Sequence, residues 1–190
     1  MKLANYIYFP KFFSEEECNE IEQEGKKTLR RAPLREAYDK SLRDANVGRI
    51  DEYSSVRNLL EKIVNQMVFA GNEYYECQLK KFEQVQYTEY SENMFYRWHV
   101  DAVANPEDPL RRDLSASLIL NRKHEYTGGS LQVIQPDCIS IDNVLTPRDI
   151  EDQEQGTLIV FPSSMIHQVT KVTSGIRKSL VIWSSAGGLF

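Results

Sequence analysis

Residues 157–164 read Thr-Leu-Ile-Val-Phe-Pro-Ser-Ser, a run of β-branched, aliphatic and aromatic side chains that ends in a turn. This composition favours a short, largely buried strand. The same pattern recurs along the second half of the chain. The other predicted strands are Leu79–Tyr90, Phe95–Val100, Leu114–Leu120, Ser130–Ile134 and Ser179–Trp183, and Gly128-Gly129 is a second predicted turn. From about residue 75 onward, the sequence therefore predicts strands joined by turns.

The N-terminal third carries the signals of helices instead. Ser14-x-x-Glu17 has the form of a capping box, in which each side chain binds the backbone N–H of the other residue. We therefore predict a first helix that begins at Glu15. Residues 32–50 show no clear period and are predicted to form a loop.

A second helix is predicted from Ser54 to Ala70. Its apolar side chains recur at the i, i+3, i+4 spacing of one buried helix face. They are Val56, Leu59, Leu60, Ile63, Val64 and Met67. Gly71-Asn72 is the expected stop, because both residue types tolerate the left-handed backbone that ends many helices.

The order of these elements, helices first and strands afterwards, favours an α+β fold with helices packed on one side of a β-sandwich or barrel. The 190 residues suffice for one domain with a real core. We predict a single domain over 1–190, in which 1–74 is a helical support region and 75–190 the β core. The polar, acidic segment 135–155 is expected to be a long loop, of the kind that often carries function or closes as a lid.

Composition narrows the classes of function. Hydrophobic residues make up 41% of the chain and charged residues 27%, as in ordinary soluble proteins. The net charge of −5 disfavours nucleic acid as a partner. No apolar run approaches the roughly 18 residues that span a bilayer, and the first residues lack the apolar core of a signal peptide. Cys18, Cys77 and Cys138 show no CxxC spacing, so we expect reduced thiols and a cytoplasmic location.

Two of the three histidines form the candidate metal site. His99 is followed two residues later by Asp101, and side chains i and i+2 of a strand point to one face. His167 follows the Phe-Pro turn of another strand and is the candidate third ligand. Two imidazoles and one carboxylate, with positions left open, suit non-haem Fe(II). A His-x-Asp pair taken alone is more often structural, and His124 is predicted to be a solvated loop residue.

A candidate anion site accompanies these ligands. Arg177 lies ten residues after His167, and Tyr90 lies nine residues before His99. An arginine fork pairs bidentately with a carboxylate. A dianionic cosubstrate that chelates iron at one end requires such a cation at its other end. The Tyr90 hydroxyl is a candidate second donor. Taken alone, Arg177 is equally compatible with a solvated surface charge and Tyr90 with a half-buried core aromatic.

Four separated blocks follow one another between about residues 76 and 184. They are Tyr90-x-x-Asn93-x-x-Tyr96-x-x-His99-x-Asp101, residues 112–121, Gly128-Gly129-Ser130-Leu131, and the stretch 156–183 with His167, Gly175, Arg177 and Ser179. In this order they resemble the core of prolyl 4-hydroxylase-type Fe(II)- and 2-oxoglutarate-dependent dioxygenases. The last block is also similar to the bacterial PKHD-type hydroxylases. Four blocks in order are far more specific than one His-x-Asp pair.

This resemblance implies a double-stranded β-helix, or jelly roll, with N-terminal helices packed on one sheet. It implies His99, Asp101 and His167 as the catalytic iron ligands. Arg177 would anchor 2-oxoglutarate with help from Tyr90. The cofactors would be Fe(II), 2-oxoglutarate and O2, with ascorbate as a candidate reductant. The reaction would hydroxylate a substrate C–H bond while 2-oxoglutarate is decarboxylated to succinate and CO2.

The sequence departs from the usual family pattern at two positions. Asn93 stands where the family usually has Gly, but Asn is the next best residue for a left-handed backbone position. Arg177 stands where many animal prolyl hydroxylases use Lys. Asp101 is retained, so the open halide position of the related halogenases is not expected.

The leading function is hydroxylation of a peptide or protein substrate at a prolyl residue. One alternative is an oxygenase that acts on a free amino acid, another small molecule or a nucleobase. A second is a metal-binding jelly roll without turnover, against which Arg177 argues because a pure binder needs no cosubstrate anchor. The candidate substrate contacts are Tyr96, Arg97, Trp98 and Arg112, together with the 135–155 loop.

Overall fold

The computed structural model describes residues 6–31, 41–102, 111–134 and 146–187. In these residues lie the helices α1 (Glu15–Lys26) and α2 (Arg57–Tyr74) and a 3-10 turn at Lys123–Glu125. The strands are β1 (Ile7–Phe9), β2 (Arg30–Arg31), β3 (Arg43–Asp44), β4 (Asn46–Ile50), β5 (Lys81–Phe82), β6 (Val85–Tyr90), β7 (Phe95–His99), β8 (Leu114–Ile119), β9 (Tyr126–Gly128), β10 (Leu131–Ile134), β11 (Arg148–Asp149), β12 (Leu158–Pro162), β13 (Ile166–Val169), β14 (Val172–Gly175) and β15 (Arg177–Ser185).

The strands form two antiparallel sheets and a short ribbon. The large sheet has the order β1-β12-β8-β15-β6-β4-β2, with β5 also paired to β15. The small sheet has the order β11-β10-β13-β7-β3, and β14 pairs with β9 in the ribbon. Two facing antiparallel sheets with these crossovers are a double-stranded β-helix. This confirms the predicted jelly roll, and all six predicted strand regions contain strands.

The large sheet separates two apolar cores. Along β8, Leu114, Ala116 and Leu118 pack with the helices, whereas Ile119 packs with residues of the small sheet. Side chains of a strand alternate between faces, so a strand covered on both sides is buried throughout. All six residues of β8 are buried. The predicted packing of helices on one sheet is thus confirmed, and the second core lies between the sheets.

The first helix begins as predicted. The Ser14 hydroxyl accepts a hydrogen bond from the Glu17 backbone N–H at 3.2 Å, and the Ser14 N–H donates to Glu17 Oε2 at 2.8 Å. This is a complete capping box. Helix α1 buries Cys18, Ile21 and Gly25. Burial raises the pKa of the Cys18 thiol to about 12, so Cys18 is an inert packing residue.

The second helix has the predicted buried face, but its predicted end is wrong. Leu60, Ile63 and Met67 are buried as expected. The helix continues through Gly71 and Asn72 to Tyr74. A Cβ on Gly71 would lie 2.5 Å from the Cys77 carbonyl oxygen. The glycine therefore leaves space for the backbone of Cys77 and does not end the helix. No helix in the described part of the chain is long and apolar enough to cross a membrane.

The predicted loop over 32–50 is wrong for its described part, which contains β3 and the five-residue strand β4. Strand β4 was not predicted because Gly48 and Arg49 interrupt its apolar pattern. A Cβ on Gly48 would lie 2.1 Å from the Gly25 carbonyl oxygen, so this glycine lets α1 lie directly on the sheet. In the predicted 135–155 loop, β11 is a strand. Residues 135–145, with Cys138, lie outside the described residues.

Candidate metal centre

The three candidate ligands converge at one end of the small sheet. His99 ends β7, and His167 lies directly opposite it on β13. His99 Nε2 is 3.8 Å from Asp101 Oδ1, and His167 Nε2 is 3.5 Å from Asp101 Oδ2. One ligand atom from each residue lies within 4.8 Å of the other two. The sequence therefore predicted correctly which residues come together.

Both imidazoles are oriented by backbone carbonyls. His99 Nδ1 lies 2.7 Å from the Arg97 carbonyl oxygen, and His167 Nδ1 lies 2.8 Å from that of Met165. A proton on Nδ1 satisfies each carbonyl and leaves the Nε2 lone pair free for a metal. Burial, followed by the neighbouring His167, lowers the pKa of His99 to about 4. His99 is thus neutral at pH 7, as a metal ligand must be.

The Asp101 carboxylate is also oriented by hydrogen bonds. Ser115 Oγ donates to Asp101 Oδ2 at 2.8 Å, and the Asp101 backbone N–H donates to the Ser163 carbonyl at 2.9 Å. Ser115 and Ser163 share a further hydroxyl hydrogen bond of 2.8 Å. The donor set of two imidazoles and one carboxylate on one side of a shared centre fits a facial triad for Fe(II).

A bulge in β7 brings Tyr96 to the same site. The register between β13 and β7 shifts between His167 and Val169, so one extra residue separates Tyr96 from His99 on that strand. As a result Tyr96 stacks on His99, with ring centroids 3.5 Å apart and planes 12° from parallel. Asn93, just before this strand, has a φ of 69°, which confirms the left-handed position expected from the sequence.

Arg177 is buried on the inner face of the large sheet, with 1% of its surface exposed. Its Nη1 donates to Ser179 Oγ at 3.0 Å, while Nε and Nη2 are buried without a hydrogen-bond partner. An uncompensated buried charge is strongly unfavourable. The unmet donors therefore fit a carboxylate ligand, and the surface-charge interpretation of Arg177 is wrong.

Two tyrosines border this guanidinium. Tyr90 pairs with Arg177 in register, and its ring centroid is 5.9 Å from the Arg177 guanidinium carbon. Tyr126 is 2% exposed, and its buried hydroxyl has no hydrogen-bond partner. Burial raises the pKa of Tyr126, and the positive charge of Arg177 opposes that shift. The Tyr126 hydroxyl is therefore a candidate donor for an anion bound to Arg177. The Tyr90 hydroxyl stays a predicted donor.

The sequence did not predict Tyr126. It reaches the site through the ribbon, where it pairs with Gly175, two residues before Arg177. The only sequence signal was its position two residues before the Gly128-Gly129 turn. Gly129 leaves room for Arg177, because a Cβ there would lie 3.0 Å from Arg177 Cδ.

The candidate substrate residues occupy different positions. Tyr96 lines the metal site. Arg97 is exposed, with its guanidinium 5.6 Å from the Phe95 ring, and Trp98 is partly buried. Arg112 Nε and Nη2 donate to Glu83 at 2.5 and 2.7 Å. Their contact with substrate stays a prediction. His124 is exposed in the 3-10 turn, as expected of a solvated residue.

The fold and site together define a double-stranded β-helix with a His/Asp/His centre beside a buried arginine. A family profile described as the 2OG-Fe(II) oxygenase superfamily matches residues 85–185. The chain belongs to this family, whose description names the two groups that the site fits, Fe(II) and 2-oxoglutarate.

Known proteins support this assignment. A PKHD-type hydroxylase of Alteromonas mediterranea is 36% identical over 101 residues, which is 51% of this chain and 41% of that protein. The match thus spans less than half the length of this curated relative. A Pseudomonas putida prolyl-4-hydroxylase structure aligns over 97% of this chain and 94% of its own, with a TM-score of 0.74 and 23% identity. A Trichoplax adhaerens prolyl hydroxylase, in complex with a hypoxia inducible factor peptide fragment, aligns over 96% and 84%, with a TM-score of 0.75 and 15% identity. The two structures show a shared fold.

Proposed function

We propose that this protein is an Fe(II)- and 2-oxoglutarate-dependent oxygenase that hydroxylates a substrate C–H bond. One observation carries the proposal: three ligand atoms of a facial triad lie within 4.8 Å of one another, in a fold that also buries an arginine with unmet donors. His99, Asp101 and His167 would hold the iron. The bound iron and 2-oxoglutarate supply the oxidising chemistry, in which O2 is consumed and succinate and CO2 are released.

The protein residues bind and orient the reactants. The Nδ1–carbonyl contacts fix the ring planes of His99 and His167, and Ser115 fixes the Asp101 carboxylate. Arg177 would bind the distal carboxylate of 2-oxoglutarate, with Tyr126 and Tyr90 as further donors. Arg177, Tyr126 and Tyr90 are buried, and charge-assisted hydrogen bonds are stronger between buried groups than in water.

For the substrate, we propose a prolyl residue of a peptide or protein. The support is the likeness to PKHD-type hydroxylases in sequence and to prolyl hydroxylases in fold. A free amino acid or another small molecule is the alternative, and a product assay on candidate peptides and amino acids separates the two.

The cofactor assignment is tested by anaerobic addition of Fe(II) and then 2-oxoglutarate to the metal-free protein. We expect a visible charge-transfer band from the iron chelate. Arg177→Ala should require a much higher 2-oxoglutarate concentration, because it removes the charge partner of the distal carboxylate. Arg122→Ala, at an exposed arginine, is the matched control and should behave as the unaltered protein. Iron binding without any band would contradict the proposal.

A further inference from the structure

Three arginines face the space between the sheets from three different parts of the chain. Arg43 lies on β3 of the small sheet, Arg49 on β4 of the large sheet, and Arg112 just before β8. We call these three residues the arginine cluster. It stands out because the whole chain carries a net charge of −5.

Strand register places Arg49 on the inner face of the large sheet. Arg49 pairs with Gln86 on β6, and paired residues of antiparallel strands share a face. Gln86 and Tyr90 are four positions apart on β6, so their side chains lie on the same face of the sheet. Tyr90 in turn pairs with Arg177. Arg49 therefore lies on the same face of the sheet as Arg177, and it is exposed.

Arg43 connects the cluster to the metal centre through stacked rings. Its guanidinium carbon lies 4.7 Å from the Tyr96 ring centroid, and Tyr96 stacks on His99 at 3.5 Å. Arg43 Nε is buried and has no hydrogen-bond partner. A group bound to Arg43 would thus lie one aromatic ring away from a metal ligand.

Arg112 closes the other side of the space. Its guanidinium carbon is 4.0 Å from the Trp183 ring centroid, and Trp183 pairs with Ser115, the residue that binds Asp101. Glu83 accepts two hydrogen bonds from Arg112 and offsets its charge, so Arg112 borders the space as part of an ion pair. Arg43 and Arg49 have no salt bridge with any carboxylate in the described part of the chain.

The three positive charges act on one another. Partial desolvation lowers the pKa of Arg49, and the neighbouring Glu83 raises it. The charges of Arg43, Arg112 and Arg30 lower it. Glu83 offsets the charge of Arg112, whereas Arg43 and Arg49 have no ion pair in the described part of the chain. These two like charges beside one cleft favour a ligand of opposite charge.

We propose that the arginine cluster selects a substrate that carries a carboxylate next to the C–H bond presented to the metal. This rests on the proposed function and specifies its substrate class. Two sources offer that chemistry: a peptide with Asp or Glu beside the hydroxylated residue, and a free acidic amino acid. Arg49 and Arg43 would bind the carboxylate, because both retain donors without a carboxylate partner.

The test measures binding to protein loaded with Mn(II) and 2-oxoglutarate. The probes are three fluorescent peptides with one central proline. They differ only in the residues beside that proline, which are Asp, Asn or Lys. N-acetylaspartate serves as an unlabelled competitor. We expect the Asp peptide to bind at least about tenfold more tightly than the Asn peptide, the effect of one charge-assisted hydrogen bond. The Lys peptide should bind most weakly, and added salt should reduce these differences.

Two variants of Arg49 assign the selection to the cluster. Arg49→Gln should weaken binding of the Asp peptide and leave binding of the Asn peptide unchanged. Arg49→Glu should improve binding of the Lys peptide, a gain that a misfolded variant cannot show. Arg57→Gln is the matched control, because Arg57 is an exposed arginine paired with Glu61 on α2.

The outcomes separate the two proposals. Full competition by N-acetylaspartate identifies a small acidic substrate, whereas competition only by the peptide identifies a peptide source. Equal binding of the three peptides without displacement by N-acetylaspartate, in protein that forms the iron–2-oxoglutarate chelate, would overturn the arginine-cluster inference alone. Failure to form the chelate would instead overturn the proposed function.

Discussion

At the scale of single residues, Ser115 holds the carboxylate of the candidate iron ligand Asp101. Its hydroxyl donates to Asp101 Oδ2 at 2.8 Å and shares a second hydrogen bond with Ser163 Oγ. Ser115 and Ser163 are both completely buried, so water does not compete for these bonds. Such outer contacts fix the direction in which a ligating carboxylate points and thereby tune metal affinity.

Replacing Ser115 by Ala should therefore weaken metal binding by about 10- to 100-fold, the usual effect of losing an outer-shell partner. Competition with a coloured Mn(II) or Fe(II) chelator measures this affinity directly. Ser117→Ala is the control, because Ser117 lies on the same strand and the same face, two residues away from the contact. Equal affinity of the two variants would show that Ser115 does not orient Asp101.

The residues that sequence reasoning found and missed differ in a physical way. His99 and Asp101 are close along the chain, so strand geometry alone brings them together. Arg177 was a candidate from its position after His167 and its carboxylate-binding fork, and the ordered family blocks favoured it over a surface charge. Tyr126 reaches Arg177 only through the pairing of β9 with β14, and no local pattern encodes that register.

At the scale of elements, two glycines determine how α1 meets the large sheet. A Cβ on Gly25 would lie 2.3 Å from Tyr87 Cγ, and one on Gly48 would lie 2.1 Å from the Gly25 carbonyl oxygen. The helix and strand β4 thus touch backbone to backbone. Strand β4 was not predicted because Gly48 interrupts its apolar pattern, whereas the helix above the strand is what requires a glycine.

Gly25→Ala should lower the free energy of unfolding by about 1–3 kcal/mol, the usual cost of overpacking. This loss should occur although Ala favours an isolated helix by about 1 kcal/mol over Gly. Urea unfolding monitored by circular dichroism measures the change. Asn19→Ala, at an exposed position of the same helix, should change stability by no more than about 0.5 kcal/mol. A Gly25→Ala protein as stable as this control would contradict the close packing.

At the scale of the whole molecule, the site depends on both sheets. The small sheet supplies His99 and His167, and the large sheet supplies Arg177 and Tyr90. Composition and element order predicted the layers correctly. Of the arginine cluster, Arg112 was predicted from the sequence as a substrate contact. Arg43 and Arg49 were not predicted, because they lie on separate elements that face one space only when both sheets are assembled.

The most direct test of the central claim is succinate formation from 2-oxoglutarate by Asp101→Ala in the presence of Fe(II) and O2. We predict that the unaltered protein forms succinate and that the variant falls to the background of iron without protein, because a histidine pair alone does not complete the facial triad. Asp149→Ala, at an exposed aspartate, should retain full turnover. Succinate formation by Asp101→Ala at the rate of the unaltered protein would contradict the assignment of His99, Asp101 and His167 as the iron site.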